Sequence, residues 1–159
     1  MKVFTLRREM WVPRPLHEVF DFFSRAENLQ EITPAWMHFR ILTPQPIAMH
    51  AGTLIDYALR IHGIPAKWRT RIESWNPPHE FVDLQQKGPY RLWRHTHQFV
   101  ERNGGTQITD EVRYALPFGF LGQMVHRLQV SRDLARIFDY RAQRVGELLA
   151  AATDATQRE

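Results

Sequence analysis

The sequence predicts an α+β fold, in which a curved antiparallel sheet of about seven strands wraps around one long C-terminal helix. Residues 37–116 contain six β-rich segments separated by short turns of Gly, Pro or Asn. Such short links favour antiparallel neighbours. Residues 121–151 instead place apolar side chains at helical spacing, which predicts a single amphipathic helix. Residues 16–31 carry two shorter helical patterns, so two short helices are expected after the first strand.

The first strand is predicted at residues 2–12, where apolar and polar side chains alternate. Pro15 then suits the first turn of a helix, because its missing N–H has no helical partner to lose. This helix is expected over residues 16–24, and a second one over about residues 27–31. Along the first helix one apolar stripe is formed by Leu16, Val19, Phe20 and Phe23.

The last two strands form the most informative hairpin of the chain. The other strands are expected at 37–43, 53–62, 66–76 and 80–87, and the hairpin joins 91–102 to 106–116. Its turn at Asn103-Gly104-Gly105 is expected to pair Phe99 with Ile108. Alternation then gives three further pairs on the same face. They are His97 with Asp110, His95 with Val112, and Trp93 with Tyr114.

Composition narrows the class of protein. The 159 residues include 43% hydrophobic and 24% charged side chains and no cysteine, which excludes disulfides and thiolate metal sites. We see no signal peptide and no apolar run of about 18 residues, so a soluble cytoplasmic protein with no stable membrane association is expected. The net charge of +4 comes from arginines spread along the chain. Without a nucleic-acid motif beside them, no nucleic-acid binding is predicted.

Several motifs carry a family resemblance. They are Val12-Pro13-Arg14-Pro15-Leu16-x-x-Val19-Phe20-x-Phe22-Phe23, Asn28-Leu29, Ile32-Thr33-Pro34, Gly88-Pro89-Tyr90, the His-rich hairpin, and Leu116-Pro117-Phe118-Gly119. With these elements the chain resembles the START/Bet v 1-type superfamily, also called SRPBCC or polyketide cyclase/dehydrase-like, and within it a bacterial ligand-binding subgroup. The resemblance implies a helix-grip fold. One domain is expected over residues 1–151, followed by a flexible tail at 152–159.

A curved sheet wrapped around one helix leaves an apolar cavity unless bulky side chains close it. Strand alternation and the helical stripe predict which residues face this cavity, although a slip of one residue would turn a whole strand over. The predicted ligand-binding residues are Tyr57, Leu59, Trp68, Thr70, Ile72, Leu84, Trp93, His95, His97, Val112, Tyr114, Val125, Leu128 and Phe138.

His97 and Asp110 are the first candidates for chemistry. A carboxylate among apolar groups must be paired, and a facing imidazole would supply the partner. The pair is either an acid/base device or a polar lock between two strands. His95 has no charged partner in this register, so it is expected to contact a ligand, unless Tyr57 or Tyr114 binds it within the core.

No metal and no cofactor are predicted. Two imidazoles and a carboxylate can hold zinc or iron, but strand residues i and i+2 lie about 7 Å apart and would have to converge. The link from Pro117 to Gly122 exposes two aromatic residues between glycines. It would suit a hinged lid or a membrane-touching tip, and packing against Phe22, Phe23 or Trp36 is the simpler arrangement.

Three functions are consistent with these features. The first is binding of a small hydrophobic ligand, aromatic, polyketide-like or lipidic, by a monomer or homodimer. The second is an aromatase/cyclase or dehydratase that uses His97, Asp110 and His95 in the same cavity. The third, which comes from the resemblance, is binding of a partner protein in the manner of the Hsp90 co-chaperones. A binding protein without catalysis is favoured over an enzyme.

Overall fold

The computed structural model describes the backbone of residues 1–156 and the side chains of residues 1–150. Strand β1 spans Phe4–Val12 and leads into helices α1, Leu16–Ser24, and α2, Asn28–Glu31. A 3₁₀ turn at Ala35–Met37 precedes the remaining strands. These are β2 Arg40–Ile41, β3 Leu54–Ile61, β4 Ile64–Asn76, β5 Glu80–Lys87, β6 Leu92–Arg102 and β7 Gly105–Ala115.

The seven strands form one antiparallel sheet in the order β1-β7-β6-β5-β4-β3-β2. Strands β2 to β7 follow one another as a meander, and β1 pairs with β7 at the far edge. Together with the C-terminal helix this is the helix-grip α+β fold, so the predicted architecture is confirmed. The hairpin register is confirmed as well, since Phe99 pairs with Ile108 and His97 with Asp110.

The C-terminal helix packs its apolar face against the concave side of the sheet. Helices α3, Gly119–Val125, and α4, Ser131–Thr156, are joined by a π-helical segment at His126–Val130. Helix α4 runs past the predicted end at residue 151, and residues 157–159 of the predicted flexible tail lie outside the described part of the chain. Four buried side chains of α4 contribute to the core: Leu134, Phe138, Val145 and Leu149.

The π-helical segment changes which residues face the sheet. A π turn contains one residue more than an α turn, so residues before it are rotated by about 100° relative to a continuous α-helix. Gly122 is therefore buried, whereas Val125 and Leu128 point outward. Among the described residues, no helix is both long and apolar enough to cross a membrane.

Candidate functional site

A cavity of about 240 Å³ lies between the sheet and helix α4. Strands β3 to β6 form one wall, helix α4 forms the opposite wall, and α1, α2 and the 3₁₀ turn close one end. Most of its lining is aliphatic or aromatic. Nine of the predicted ligand-binding residues line it: Tyr57, Leu59, Trp68, Thr70, Ile72, Trp93, His95, His97 and Phe138.

Leu84 does not line the cavity, because β5 is shifted by one residue from the predicted register. A tight turn at Gly88-Pro89 would have turned Leu84 inward, but Leu84 pairs with Arg94 and Asp83 pairs with His95. The Gln85 side chain holds this turn by donating a hydrogen bond to the carbonyl of Tyr90. Asp83 thus takes the cavity position that the prediction gave to Leu84.

Four other predicted residues lie outside the cavity lining. Val112 is fully buried in the core beside Leu134 and Phe138. Tyr114 is also buried, and its hydroxyl lies 2.7 Å from Nε2 of His126. The remaining two, Val125 and Leu128, are exposed because of the π-helical rotation.

His97 is buried and lies at the cavity wall between two other rings. Its Nε2 donates to Asp83 Oδ2 at 2.6 Å, and its Nδ1 lies 3.3 Å from Asp110 Oδ1. One face of the ring stacks on Phe81 with centroids 4.1 Å apart, and the other stacks on His95 at 3.7 Å. The two side chains of the predicted His97–Asp110 pair are therefore adjacent, but the hydrogen bond of His97 goes to Asp83, and its Nδ1 has no hydrogen-bond partner among the described residues.

His95 does have a charged partner, contrary to the prediction that it has none. Its Nε2 donates to Asp110 Oδ1 at 2.7 Å, because a carboxylate only accepts hydrogen bonds. Its Nδ1 is 3.9 Å from Asp83 Oδ2 and has no hydrogen bond within the described part of the chain. Asp110 does not line the cavity whereas His95 does, so Nδ1 is the nitrogen of this ring that is free to accept a hydrogen bond.

Charges within this cluster are balanced by Arg141 of helix α4. Burial opposes ionisation of Asp110, but Arg141, whose Nη2 lies 3.9 Å from Oδ1, and the two imidazoles hold the Asp110 pKa well below its usual range. Asp83 is partly buried, and its contacts with His97 and His95 lower its pKa. The two carboxylates thus lie beside one guanidinium and two imidazoles.

The pKa values of the two histidines are shifted in opposite directions. Burial lowers the pKa of His95, and the neighbouring charge on His97 lowers it further against the pull of Asp110. Burial also opposes protonation of His97, but the carboxylates of Asp110 and Asp83 outweigh it and raise its pKa. Near neutral pH, His95 is therefore neutral with Nδ1 unprotonated, and of the two rings His97 holds a proton more strongly.

This ordering predicts a measurable pH dependence. Stabilisation by protonated His97 is complete below pH 6.5 and is lost as pH rises through its raised pKa. The lowered pKa of His95 has the opposite sign and removes stability as pH falls below 6.5. NMR titration of the ¹⁵N-labelled imidazoles should show His97 losing its proton at higher pH than His95. The reverse order, or equal values, would contradict the assignment.

Asp83, His95 and His97 are also the described residues that could hold a metal ion, since one donor atom of each lies within 4.8 Å of the others. Their arrangement suits a hydrogen-bond network better. The two rings are stacked nearly parallel, with 28° between their planes, so their in-plane lone pairs do not point to one common ion.

Sequence reasoning missed several residues of the cavity lining. Asp83 was missed because β5 is shifted by one residue from the predicted register. Arg141 was missed because of its charge, although it lies three residues after Phe138 on the same helix face. Tyr90, in the β5–β6 turn, packs with Trp68 and Trp93 into an aromatic wall. The segment that contains helices α1 and α2 supplies a further apolar set: Phe22, Phe23, Ala26, Leu29 and Ile32.

Comparison with known proteins identified a matching family model and similar solved structures. A family model described as "Polyketide cyclase / dehydrase and lipid transport" matches residues 12–138. No curated protein matches the sequence significantly. Protein Ms6760 from Mycobacterium smegmatis is 16% identical with a TM-score of 0.68, over 93% of this chain and 92% of that protein. Protein TTHA0849 from Thermus thermophilus is 18% identical with a TM-score of 0.70, over 93% and 98%.

A third similar structure is a larger protein. The nucleoside-diphosphate sugar epimerase from Corynebacterium glutamicum is 23% identical to this chain with a TM-score of 0.73. The match covers 96% of this chain and 30% of the epimerase. At these identities the three structures show a shared fold.

Proposed function

The chain belongs to the polyketide cyclase/dehydrase and lipid transport family, and we propose that its cavity binds a small, ring-shaped hydrophobic ligand that carries a hydroxyl group. Members of this family bind hydrophobic ligands or act as cyclases. The observation that carries the proposal is the Nδ1 acceptor of His95, a residue that is oriented by Asp110 and lines a mostly apolar cavity.

Cavity size supports a compact ligand. The volume of about 240 Å³ exceeds that of an engineered cavity of roughly 150 Å³ that binds benzene. It is below the range of about 300–1,000 Å³ that holds drug-sized molecules. One or two fused rings therefore suit the space better than a long acyl chain, and the aromatic wall of Trp68, Tyr90 and Trp93 offers flat partners.

The polar end of the cavity favours a hydrogen-bond donor on the ligand. His95 is neutral near pH 7, so its Nδ1 accepts a hydrogen bond. Asp83, also in the cavity lining, accepts as well. A phenolic or enolic hydroxyl satisfies this acceptor, whereas an unsubstituted ring leaves it unpaired in an apolar site, which costs free energy.

Binding of 2-naphthol and naphthalene tests this proposal, because the two differ only in the hydroxyl group. We expect saturable binding of both, with 2-naphthol tighter by about fivefold, the worth of one hydrogen bond. In His95→Phe, whose ring has no hydrogen-bond acceptor, this preference should decrease. His50→Phe changes an exposed histidine outside the cavity lining and is the matched control. Equal affinities in the wild-type protein, measured by NMR chemical shifts, would refute the hydroxyl preference.

Catalysis of the cyclase or dehydratase kind is a second candidate, favoured by the same dyad. A neutral imidazole that donates from one nitrogen to a carboxylate can accept a proton at the other nitrogen, as a general base does. His95 with Asp110 fits this role better than His97, whose ring is stacked between Phe81 and His95. Turnover of a poly-β-ketone analogue that is lost in His95→Gln would support this function.

A further inference from the structure

Residues 118–128 display an apolar surface that faces solvent. We call this surface the apolar tip. Phe118 is 81% exposed, Phe120 73% and Leu128 68%. These exposures are unusual for side chains of this size. The complete tip consists of Phe118, Phe120, Leu121, Met124, Val125 and Leu128. The simpler arrangement expected from the sequence, packing against Phe22, Phe23 or Trp36, would have buried these side chains.

The helix that carries the tip turns its apolar side to solvent, whereas an ordinary surface helix buries that side. Its protein-facing side consists of Gly122, which approaches the carbonyl of Pro117 too closely for any side chain, and His126, which stacks on Phe4. The large apolar residues lie on the other side of the helix. A solvent-facing apolar arc of this kind normally marks an interaction surface.

Backbone strain supports a functional role for the tip. Phe118 has φ 69° and ψ 25°, the left-handed conformation, which is sterically unfavourable for a bulky residue. Its side chain gains little burial in return, because it is largely exposed. Strain of this kind, without compensating packing, is typical of residues that serve binding.

The segment of residues 112–132, which contains the tip, carries basic residues and no acidic residue. These basic residues are Arg113, Arg127 and Arg132. Lys2 and Arg91 line a groove beside Gly119 at the start of the same helix. Two copies of the tip would bring like charges together, which disfavours self-association through this face.

We propose that the apolar tip docks reversibly on an anionic membrane surface. Its aromatic and aliphatic side chains would enter the interface, while the flanking arginines attract anionic headgroups, the combination that holds amphipathic helices on bilayers. The tip is continuous with the cavity, because Val130 and Asp133, directly after it, line the cavity. Docking therefore places that wall of the cavity next to the bilayer.

Vesicle flotation tests this proposal. We expect the protein to float with vesicles of phosphatidylcholine mixed with phosphatidylglycerol, and much less with pure phosphatidylcholine. Phe120→Ser combined with Leu121→Ser should reduce the bound fraction at least about tenfold. Val100→Ser combined with Leu42→Ser removes exposed apolar side chains elsewhere and should leave binding unchanged. No flotation with anionic vesicles, or equal loss in both double variants, would overturn the proposal.

Phe118→Gly separates docking from folding. Glycine adopts the left-handed conformation freely, so this variant should keep or slightly raise the melting temperature. Its vesicle binding should nevertheless fall, because the most exposed aromatic ring of the tip is lost. Analytical ultracentrifugation tests the alternative that a second copy of the protein covers the tip. A dimer that the tip substitutions dissociate, in a protein that ignores vesicles, would show that a second copy covers this face and would overturn membrane docking.

Discussion

Replacement of Asp110 by alanine is expected to lower the free energy of unfolding by about 2–4 kcal/mol. Asp110 accepts a hydrogen bond from His95, lies 3.3 Å from Nδ1 of His97, and is the carboxylate nearest to Arg141. All four side chains are largely buried, so the substitution leaves cationic and polar groups without a partner and with little access to water. Urea unfolding followed by circular dichroism measures the change.

Asp56→Ala is the matched control for this prediction. Asp56 also accepts from a cationic partner, Arg69, on a neighbouring strand, at 2.8 Å. Both side chains of that pair are more than one-third exposed, and exposed ion pairs contribute only about 0–1 kcal/mol. If the two substitutions cost the same, the buried cluster has no special role in holding the hairpin to helix α4.

Filling the cavity should abolish ligand binding. Ile137 of helix α4 lines the cavity and is partly buried. In Ile137→Trp the indole would occupy space that the ligand needs, so we expect the affinity for 2-naphthol to fall at least about tenfold. Because the ring enters existing space, the free energy of unfolding should fall by no more than about 3 kcal/mol, the upper end of the usual range for small-to-large exchanges.

Ile137→Leu keeps the side-chain volume and serves as the control for this change, with unaltered affinity expected. Titration by NMR chemical shifts gives both dissociation constants. Undiminished binding of 2-naphthol by the tryptophan variant would mean that the ligand lies elsewhere on the protein.

Local patterns were sufficient to predict most of the fold. The short Gly- and Asn-containing turn after β6 determines the hairpin register, and this register puts His97 opposite Asp110 as predicted. A short turn of this kind sets the pairing register of both strands, because side chains then alternate between the two faces along each strand. The helical stripes of α1 and α4 are equally local, so the bounds of α1 agree with the prediction at both ends.

Features that depend on one added residue were not predictable in this way. The turn between β5 and β6 is held by Gln85 and Tyr90, and its extra residue places Asp83 rather than Leu84 on the cavity side. The π-helical segment has the same effect on Val125 and Leu128. In both places tertiary contacts decide which residues face the interior. The apolar pattern of the sequence alone is compatible with either arrangement. The partner of His95 was missed because its hydrogen bond runs diagonally to Asp110.

A crystal structure of the protein with 2-naphthol is the most direct test of ligand binding at the His95–Asp110 dyad. The account predicts a naphthyl ring within the cavity beside Trp68 and Trp93, with its hydroxyl within hydrogen-bond distance of His95 Nδ1. His95 Nε2 should remain bonded to Asp110. A ring bound outside the cavity, or inside it with the hydroxyl turned away from His95, would contradict the proposed function.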